Sequence, residues 1–447
     1  MLKLNLERTF ILVFGAMMLL GMHYFQHNQG GTGLELPFNL VAWIFGSILI
    51  GLGLIKVSQA ENLRYHKPLL VLLLATLTLY LPLFYPNAEF AELALDRLIA
   101  LAAGVLLIFS FTQLRLGKQQ WQQMLYLILI GVLIESCYAL VQMYLLTEGN
   151  WVGFNIQSGR ASGIFQQPNV LGSFVLLGPL CAAWLIAEQA VRNKYQLGLI
   201  CLTSFLAAWT CFLTGSRTTL ISFFVILPLL APYLYKKAQV TVLRYWYLSL
   251  AVGVIAYSLP ELFNSNSIPR EVVGGDSTVY RITMLEVCWQ LFKQQPFWGW
   301  GYGGFDGVYH EAQALFNQQD LVNGFHFNVA HPHNELAYWA VEGGLLPLIT
   351  LLFLAGYILK QLFNKRWEKG CFYLAMLFPY IFHSMTELPF YHSAILWLLF
   401  CLFIAEINLR LNPAQNRSFP AKFAPKVFGL LIPIVTIIFM LTGLQSI

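Results

Sequence analysis

The chain has 447 residues, 58% of them hydrophobic and only 11% charged, with a mean hydropathy of +0.63. Soluble domains carry about 25% charged residues, so this composition excludes a set of soluble domains, intrinsic disorder, a coiled coil and a secreted disulfide scaffold, and leaves an all-α polytopic membrane protein. The net charge of +5 decides little, because in such a protein the placement of basic residues matters more than their sum.

A helix needs about 20 mostly apolar residues to cross the hydrocarbon core. Runs of that kind fall near 9–25, 38–56, 68–85, 93–112, 123–146, 170–187, 196–213, 218–235, 244–260, 336–359, 371–386, 392–409 and 427–445, which predicts about thirteen transmembrane helices. The first follows Lys3 and Arg8 with no small-residue cleavage site behind it, and is expected to be a retained helix rather than a signal peptide. The run at 371–386 is short. Three regions result: an N-terminal bundle of about nine helices over 1–260, a long loop bearing short helices over 261–335, and C-terminal transmembrane helices over 336–447.

The seven cysteines show no paired spacing, and Cys137, Cys181, Cys201, Cys211 and Cys401 lie inside apolar runs, with Cys371 at the start of another. They read as small apolar side chains and not as a disulfide framework or a metal cluster.

With the N-terminus inside, only six of the 26 basic residues fall on the outer side: Arg97, Arg160, Arg217, Arg270, Arg281 and Lys293. The other twenty alternate correctly through every inner connection, which sets the orientation. Arg97 and Lys293 read as ordinary surface residues, whereas Arg160, Arg217 and Arg281 sit in unusual local sequence.

Two outer connections are long, and long loops in compact proteins are functional or disordered. The first, 147–169, ends in Gly159-Arg160-Ala161-Ser162-Gly163-Ile164-Phe165-Gln166-Gln167-Pro168-Asn169. In the second, Asp276-Ser277-Thr278 predicts a helix start and Pro296 its stop, for a helix at the bilayer surface or under a lid. The stretch Phe297-Trp298-Gly299-Trp300-Gly301-Tyr302-Gly303-Gly304-Phe305 that follows suits tight turns beside a membrane interface or a sugar-stacking surface.

At the outer end of the tenth run stands His331-Pro332-His333-Asn334-Glu335-Leu336. Asn334 is the expected N-cap, which puts His333 at a helix N-terminus, where the dipole disfavours imidazolium and a neutral ring serves as a base near pH 7. Two other readings stand beside it: a pair of interfacial capping histidines, and a metal site of His331 and His333 with His326, His383 or His392. The helical two-histidine zinc spacing and a completing carboxylate motif are both missing.

Arginine forks fit phosphate oxygens, so a membrane-embedded diphosphate is the natural ligand of Arg160, Arg217 and Arg281. As a leaving group, that diphosphate would have its developing charge stabilised by the guanidiniums while the base deprotonates an incoming hydroxyl. The chemistry that fits is glycosyl transfer from a lipid diphosphate to an acceptor outside the cytoplasm. A lipid-linked glycan transporter, binding the same ligand without breaking a bond, is the competing class.

Further polar residues carry two readings each. Glu135 lies mid-span, where a carboxylate costs roughly 2.5–3.5 kcal/mol to insert; it is either functional, or simply protonated or bonded to Gln142. Glu342 lies two turns below Glu335 and is placed to face the cavity of His333. His383 and Glu387 mark a polar mouth or a support to the site.

His333-Asn334, nine residues and Gly344 resemble the His-Asn-x9-Gly-x-x-small signature of the bacterial O-antigen ligase, O-antigen polymerase and O-oligosaccharyltransferase superfamily. The run from His331 to Trp339 with Glu342-Gly343-Gly344 is similar to its protein-glycosylating branch. So is Gly159-Arg160-Ala161-Ser162-Gly163 with Gln167-Pro168-Asn169, which looks like the short signature of pilin glycosylation (PglL-type) ligases. Thr214-Gly215-Ser216-Arg217 and the Pro-x-x-Gly-x-Gly turn from Pro296 to Gly301 also match, so that four motifs follow in order over about residues 120–400.

The resemblance implies an enzyme of the bacterial inner membrane with its active site facing the periplasm. It would carry out a cofactor-free, metal-independent and inverting transfer of an oligosaccharide from undecaprenyl diphosphate to an exported acceptor protein such as a pilin. His333 would be catalytic, Arg217 and Arg281 would bind the diphosphate, and Arg160 and Gln167 would line the substrate cavity, with Asn169, His331 and Asn334 in support. O-antigen ligation to lipid A core and O-antigen polymerisation share that chemistry with another acceptor. Two departures stand out. Pro347 occupies a position where the family has Gly, Thr or Tyr, and only one helix follows Lys426 where many protein-glycosylating relatives carry a soluble domain. The second departure points to a dedicated acceptor.

Overall fold

The computed structural model describes residues 5–60, 62–263, 275–318, 329–364, 366–420 and 422–447. Lys3, Arg270, His326 and Lys365 lie outside the described residues.

The fold is all-α, as the apolar runs dictate: backbone polar groups in lipid must pair within their own segment. Helices α1 (Leu6–Leu19), α2 (Pro37–Ala60), α3 (Lys67–Tyr80), α4 (Leu95–Leu114) and α5 (Lys118–Tyr144) open the bundle. Next come α6 (Pro168–Val175) and α7 (Leu177–Ala187), which form one crossing, buried throughout from Val170 to Ala187. Around it stand α8 (Lys194–Leu213), α9 (Arg217–Lys237) and α10 (Val240–Phe263). A fully encased helix needs no lipid-facing side, and this one presents Ser173, Cys181 and Trp184 to its neighbours alike.

The long outer connection holds α11 (Gly275–Gln294) and α12 (Phe305–Gln318). Their inner faces, Met284, Val287, Cys288, Leu291, Tyr309 and Phe316, close a small separate core with Val341. The opposite face of α11 leaves Val279, Ile282, Leu285 and Trp289 exposed at helical spacing, which suits the bilayer surface expected for it.

The tenth apolar run does not form one helix. It is α13 (Glu335–Gly343) and α14 (Leu345–Phe363), separated at Gly344, whose φ of 72° and ψ of −151° lie outside any helix. The break has a steric cause. Gly299 and Gly344 pack backbone against backbone: a Cβ on Gly344 would lie 2.4 Å from the Phe297 carbonyl oxygen, and one on Gly299 would lie 2.5 Å from that of Glu342. Hydrogen bonds from Trp300 N to Val341 O (2.8 Å), Gly301 N to Glu342 O (2.9 Å) and Leu345 N to Pro296 O (2.7 Å) lock the contact. The Pro-x-x-Gly-x-Gly turn and the glycine of the histidine motif are thus two halves of one joint. Pro347 falls in the first turn of α14, where a missing N–H leaves no helical bond unmade.

Gly344→Ala is expected to lower stability by about 1–3 kcal/mol through the left-handed φ alone, with the clash adding to it. Gly356→Ala, with open space around it in mid-α14, is expected to be neutral or stabilising. Thermal unfolding of the two purified variants side by side checks the difference.

Helices α15 (Trp367–Ser384), α16 (Pro389–His392), α17 (Ala394–Leu411) and α18 (Phe423–Ser446) complete the chain. Twelve helices among the described residues are long and apolar enough to cross a membrane, and α15 is not among them, because Trp367, Glu368, Lys369 and His383 dilute it. It packs against α9, α14 and α17 all the same. A further feature was not read from the sequence: strands β1 (Asn62–Tyr65) and β2 (Gln415–Ser418) pair antiparallel. These two segments follow the second and twelfth runs, so they meet at one end of the bundle only if α15 also crosses it. Thirteen crossings are therefore consistent with the pairing.

The seven cysteines are free. Cys181, Cys211, Cys288 and Cys401 are buried, whereas Cys137 is exposed on the outside of its helix.

Candidate active site

Four motifs far apart in sequence meet at the end of the bundle that carries the long connections. Asn334 caps α13, accepting from Ala337 N (2.9 Å), and its amide donates to the Met385 carbonyl (3.0 Å). This ties the start of α13 to the turn after α15. His333, just ahead of the cap, has φ +51°, a left-handed conformation that a non-glycine residue adopts at some cost. Its ring is brought against Glu387, whose Oε1 bonds Nδ1. The carboxylate accepts from Nδ1–H, which fixes the tautomer and leaves the Nε2 lone pair for a substrate proton.

Burial pushes the Glu387 carboxyl up, but the bond from His333 and the nearby His331 and His392 outweigh it and bring the group down to about 2. Because this value lies below the usual 4.5, the stability Glu387 contributes is complete above pH 4.5 and is lost as pH falls through about 2. The unfolding temperature of the wild type is expected to exceed that of Glu387→Gln at neutral pH. The gap should narrow as pH drops below about 4, and a pH series of melting curves reads it directly.

Arg281, on α11, stands 3.9 Å from the other oxygen of Glu387. Arg160 donates from Nε to the Thr214 carbonyl (2.7 Å) and from Nη2 to Asn169 Oδ1 (3.1 Å), so one side chain joins the 159–163, 167–169 and 214–217 motifs. Burial and the charge of Arg281 both lower its pKa. Two guanidiniums close enough for one to lower the pKa of the other favour an anion nearby. Arg217 opens α9 behind the N-cap Ser216, and its neighbour Thr218 bonds Thr386 Oγ1 (3.0 Å), one residue from Glu387.

Other candidates have structural work. Gln167 caps α6 through its side-chain oxygen, which accepts from Asn169 N and Val170 N. Its carbonyl is therefore occupied by the helix start and not by the cavity. Glu135 does not pair with Gln142. It takes His23 Nδ1 (2.7 Å) and Ile164 N (3.1 Å), while Gln142 accepts from Ser162 N (3.1 Å) and Gly163 N (2.8 Å). Together these two hold the loop that carries Arg160.

Glu342 does not face His333. It is fully buried, paired with Arg97, and accepts from Gly303 N (3.0 Å). Arg97 is correspondingly no surface residue: its guanidinium lies 4.4–4.9 Å from the ring centres of Trp339, Tyr338 and Tyr302. Lys293 is exposed over Trp289, as an interfacial lysine should be.

His383 is buried and bonds Ser173 Oγ through Nδ1 (2.7 Å). His331 stacks edge-on to His333, with ring centres 4.6 Å apart, and burial lowers its pKa to about 4. His331, Glu387 and His392 form a group whose donor atoms all lie within 4.8 Å of one another. The metal alternative drawn around His331 thus finds a geometry, with Glu387 in place of His333. The sequence offered Glu387, with His383, as part of a polar mouth or as a support to the site, and did not pair it with His333. A carboxylate directly after an apolar run, two residues from a proline, was the available signal.

These features define a multi-pass membrane protein with an ionisable site at one end of its helices. Residues 202–352 match the family model described as O-antigen ligase, and residues 371–447 match that of the virulence factor membrane-bound polymerase, C-terminal. Over these two stretches the chain is similar to the O-antigen ligase superfamily, which supports a membrane enzyme of the O-antigen ligase and polymerase type. The first match encloses the arginine motif of 214–217, the glycine turn and the histidine motif, and the second encloses Glu387; the 159–169 motif lies outside both. No curated protein matches the chain.

Proposed function

We propose that the protein transfers a glycan en bloc from undecaprenyl diphosphate to a serine or threonine hydroxyl of an exported protein such as a type IV pilin, at the periplasmic face of the inner membrane. The observation that carries this reading is the shared carboxylate: Glu387 takes His333 on one oxygen and approaches Arg281 with the other. A base is thereby oriented next to a cation suited to a leaving diphosphate.

In the proposed step, His333 Nε2 accepts the hydroxyl proton as the oxygen attacks the anomeric carbon. The bond from that carbon to the diphosphate oxygen breaks, its electron pair stays on the diphosphate, and the configuration inverts. Arg160, Arg217 and Arg281 take up the charge that develops. Glu387 stabilises the imidazolium formed, as a carboxylate does in a serine hydrolase triad. Each group has one task, and none of the steps calls for a metal.

The descriptions of the two matching families favour a second reading with another acceptor, a lipid A core or a growing repeat-unit chain. Purified protein given lipid-linked glycan, a pilin and a lipopolysaccharide core side by side separates the two. Glycosylated pilin is the expected product. Labelled core alone assigns the ligase reading, and absence of any product with intact donor movement across proteoliposomes assigns a transporter.

A further inference from the structure

We infer that His331, Glu387 and His392 form a binding site for a transition-metal dication of the zinc class, and that its occupancy switches the enzyme off. The three residues come from separate places: His331 from the segment leading into α13, Glu387 from the turn after α15, and His392 from the end of α16. Each offers a donor atom within 4.8 Å of the other two. A tetrahedral ion with bonds of about 2.1 Å needs donors about 3.4 Å apart, so closing the set takes side-chain shifts of about an ångström.

The donor set is right for zinc. Two imidazoles and one carboxylate, with a fourth position for water, is a ligand combination that zinc takes in proteins. Burial favours the neutral ring at both histidines, which is the form that ligates. The His392 backbone is held by the Asn39 side chain, whose amide donates to its carbonyl (3.1 Å), so the ligand is presented by a fixed element.

Inhibition follows from the sharing of Glu387. Its two oxygens already serve His333 and Arg281. An ion drawing that carboxylate toward His331 and His392 removes the acceptor that orients the His333 ring. This consequence rests on the transfer reading above, whereas the binding of the ion does not.

The test uses the full-length purified protein and zinc chloride alone. Calorimetry is expected to show one site that weakens at least tenfold in His392→Gln and in His331→Gln, with His392→Cys, which keeps a zinc ligand, retaining it. Zinc-edge X-ray absorption on the wild type needs no variant and should count two imidazoles. In the transfer assay, saturating zinc should reduce the wild-type rate at least tenfold, reversibly with EDTA, and leave His392→Gln active. Zinc affinity unchanged in both glutamine variants, an absorption spectrum without imidazole ligands, or zinc that stimulates transfer would each overturn the proposal. A wild type that binds zinc through two imidazoles yet transfers no glycan leaves the site standing and removes the transfer reading instead.

Discussion

His333→Ala is expected to lower glycan transfer by about 10²–10⁴-fold, the range over which a positioned general base acts. The protein should reach the membrane at its normal level, because the ring is only partly buried and the cap of α13 belongs to Asn334. The left-handed backbone at His333 makes the substitution informative in a second way. Alanine adopts φ +51° no more readily than histidine, so His333→Gly relieves the backbone while removing the base. Both variants should be equally inactive, with the glycine form at least as stable. Transfer retained by either would take the base out of the mechanism.

Glu387→Gln should have an effect of similar size. The amide preserves shape but offers Nδ1 either a donor or a weak acceptor, which permits the wrong imidazole tautomer and no longer stabilises imidazolium. We expect a loss of about 10²–10⁴-fold in the rate of transfer with little change in donor affinity. Substitution at Arg281 should instead weaken donor binding as well as rate, since a cation beside the diphosphate acts before and during bond breaking. Measuring the rate at saturating donor for both variants separates the two roles. A Glu387→Gln enzyme with a normal rate would reduce the carboxylate to a structural partner.

The membrane spans were legible because lipid imposes a composition that few other folds need. Where a span is encased by protein the rule relaxes, and α15, diluted by Glu368, Lys369 and His383, marks that limit. The break at Gly344 was not legible: a glycine inside an apolar run is tolerated in many helices, and only the turn at 296–301 packed against it makes the bend necessary. The Asn334 cap could be read locally, since its signal lies in a few adjacent residues. Arg97 could not. Its partner Glu342 is 245 positions away, and nothing near either residue says that they meet. Shorter separations in sequence were enough to hide Glu387 from His333, 54 positions away, and to hide the way Glu135 and Gln142 grip the loop of Arg160 rather than each other.

Arg97 and Glu342 suggest why the histidine motif extends so far past its histidine. The pair, walled by Tyr302, Tyr338 and Trp339, fastens α13 to α4 and to the glycine turn. A buried ion pair contributes little net stability, yet losing one partner strands the other and costs about 3–5 kcal/mol. Such a pair holds a geometry, here the seat of α13, the helix that begins two residues after His333.

One anionic headgroup is expected to sit among Arg160, Arg217 and Arg281 within reach of His333. A cryo-electron microscopy structure of the protein in nanodiscs with undecaprenyl diphosphate would show where it binds. The expected density has the diphosphate in hydrogen-bond contact with these guanidiniums and its terminal phosphate facing His333 Nε2. A diphosphate bound at the opposite end of the bundle, or held by other residues with His333 remote from it, would refute that placement.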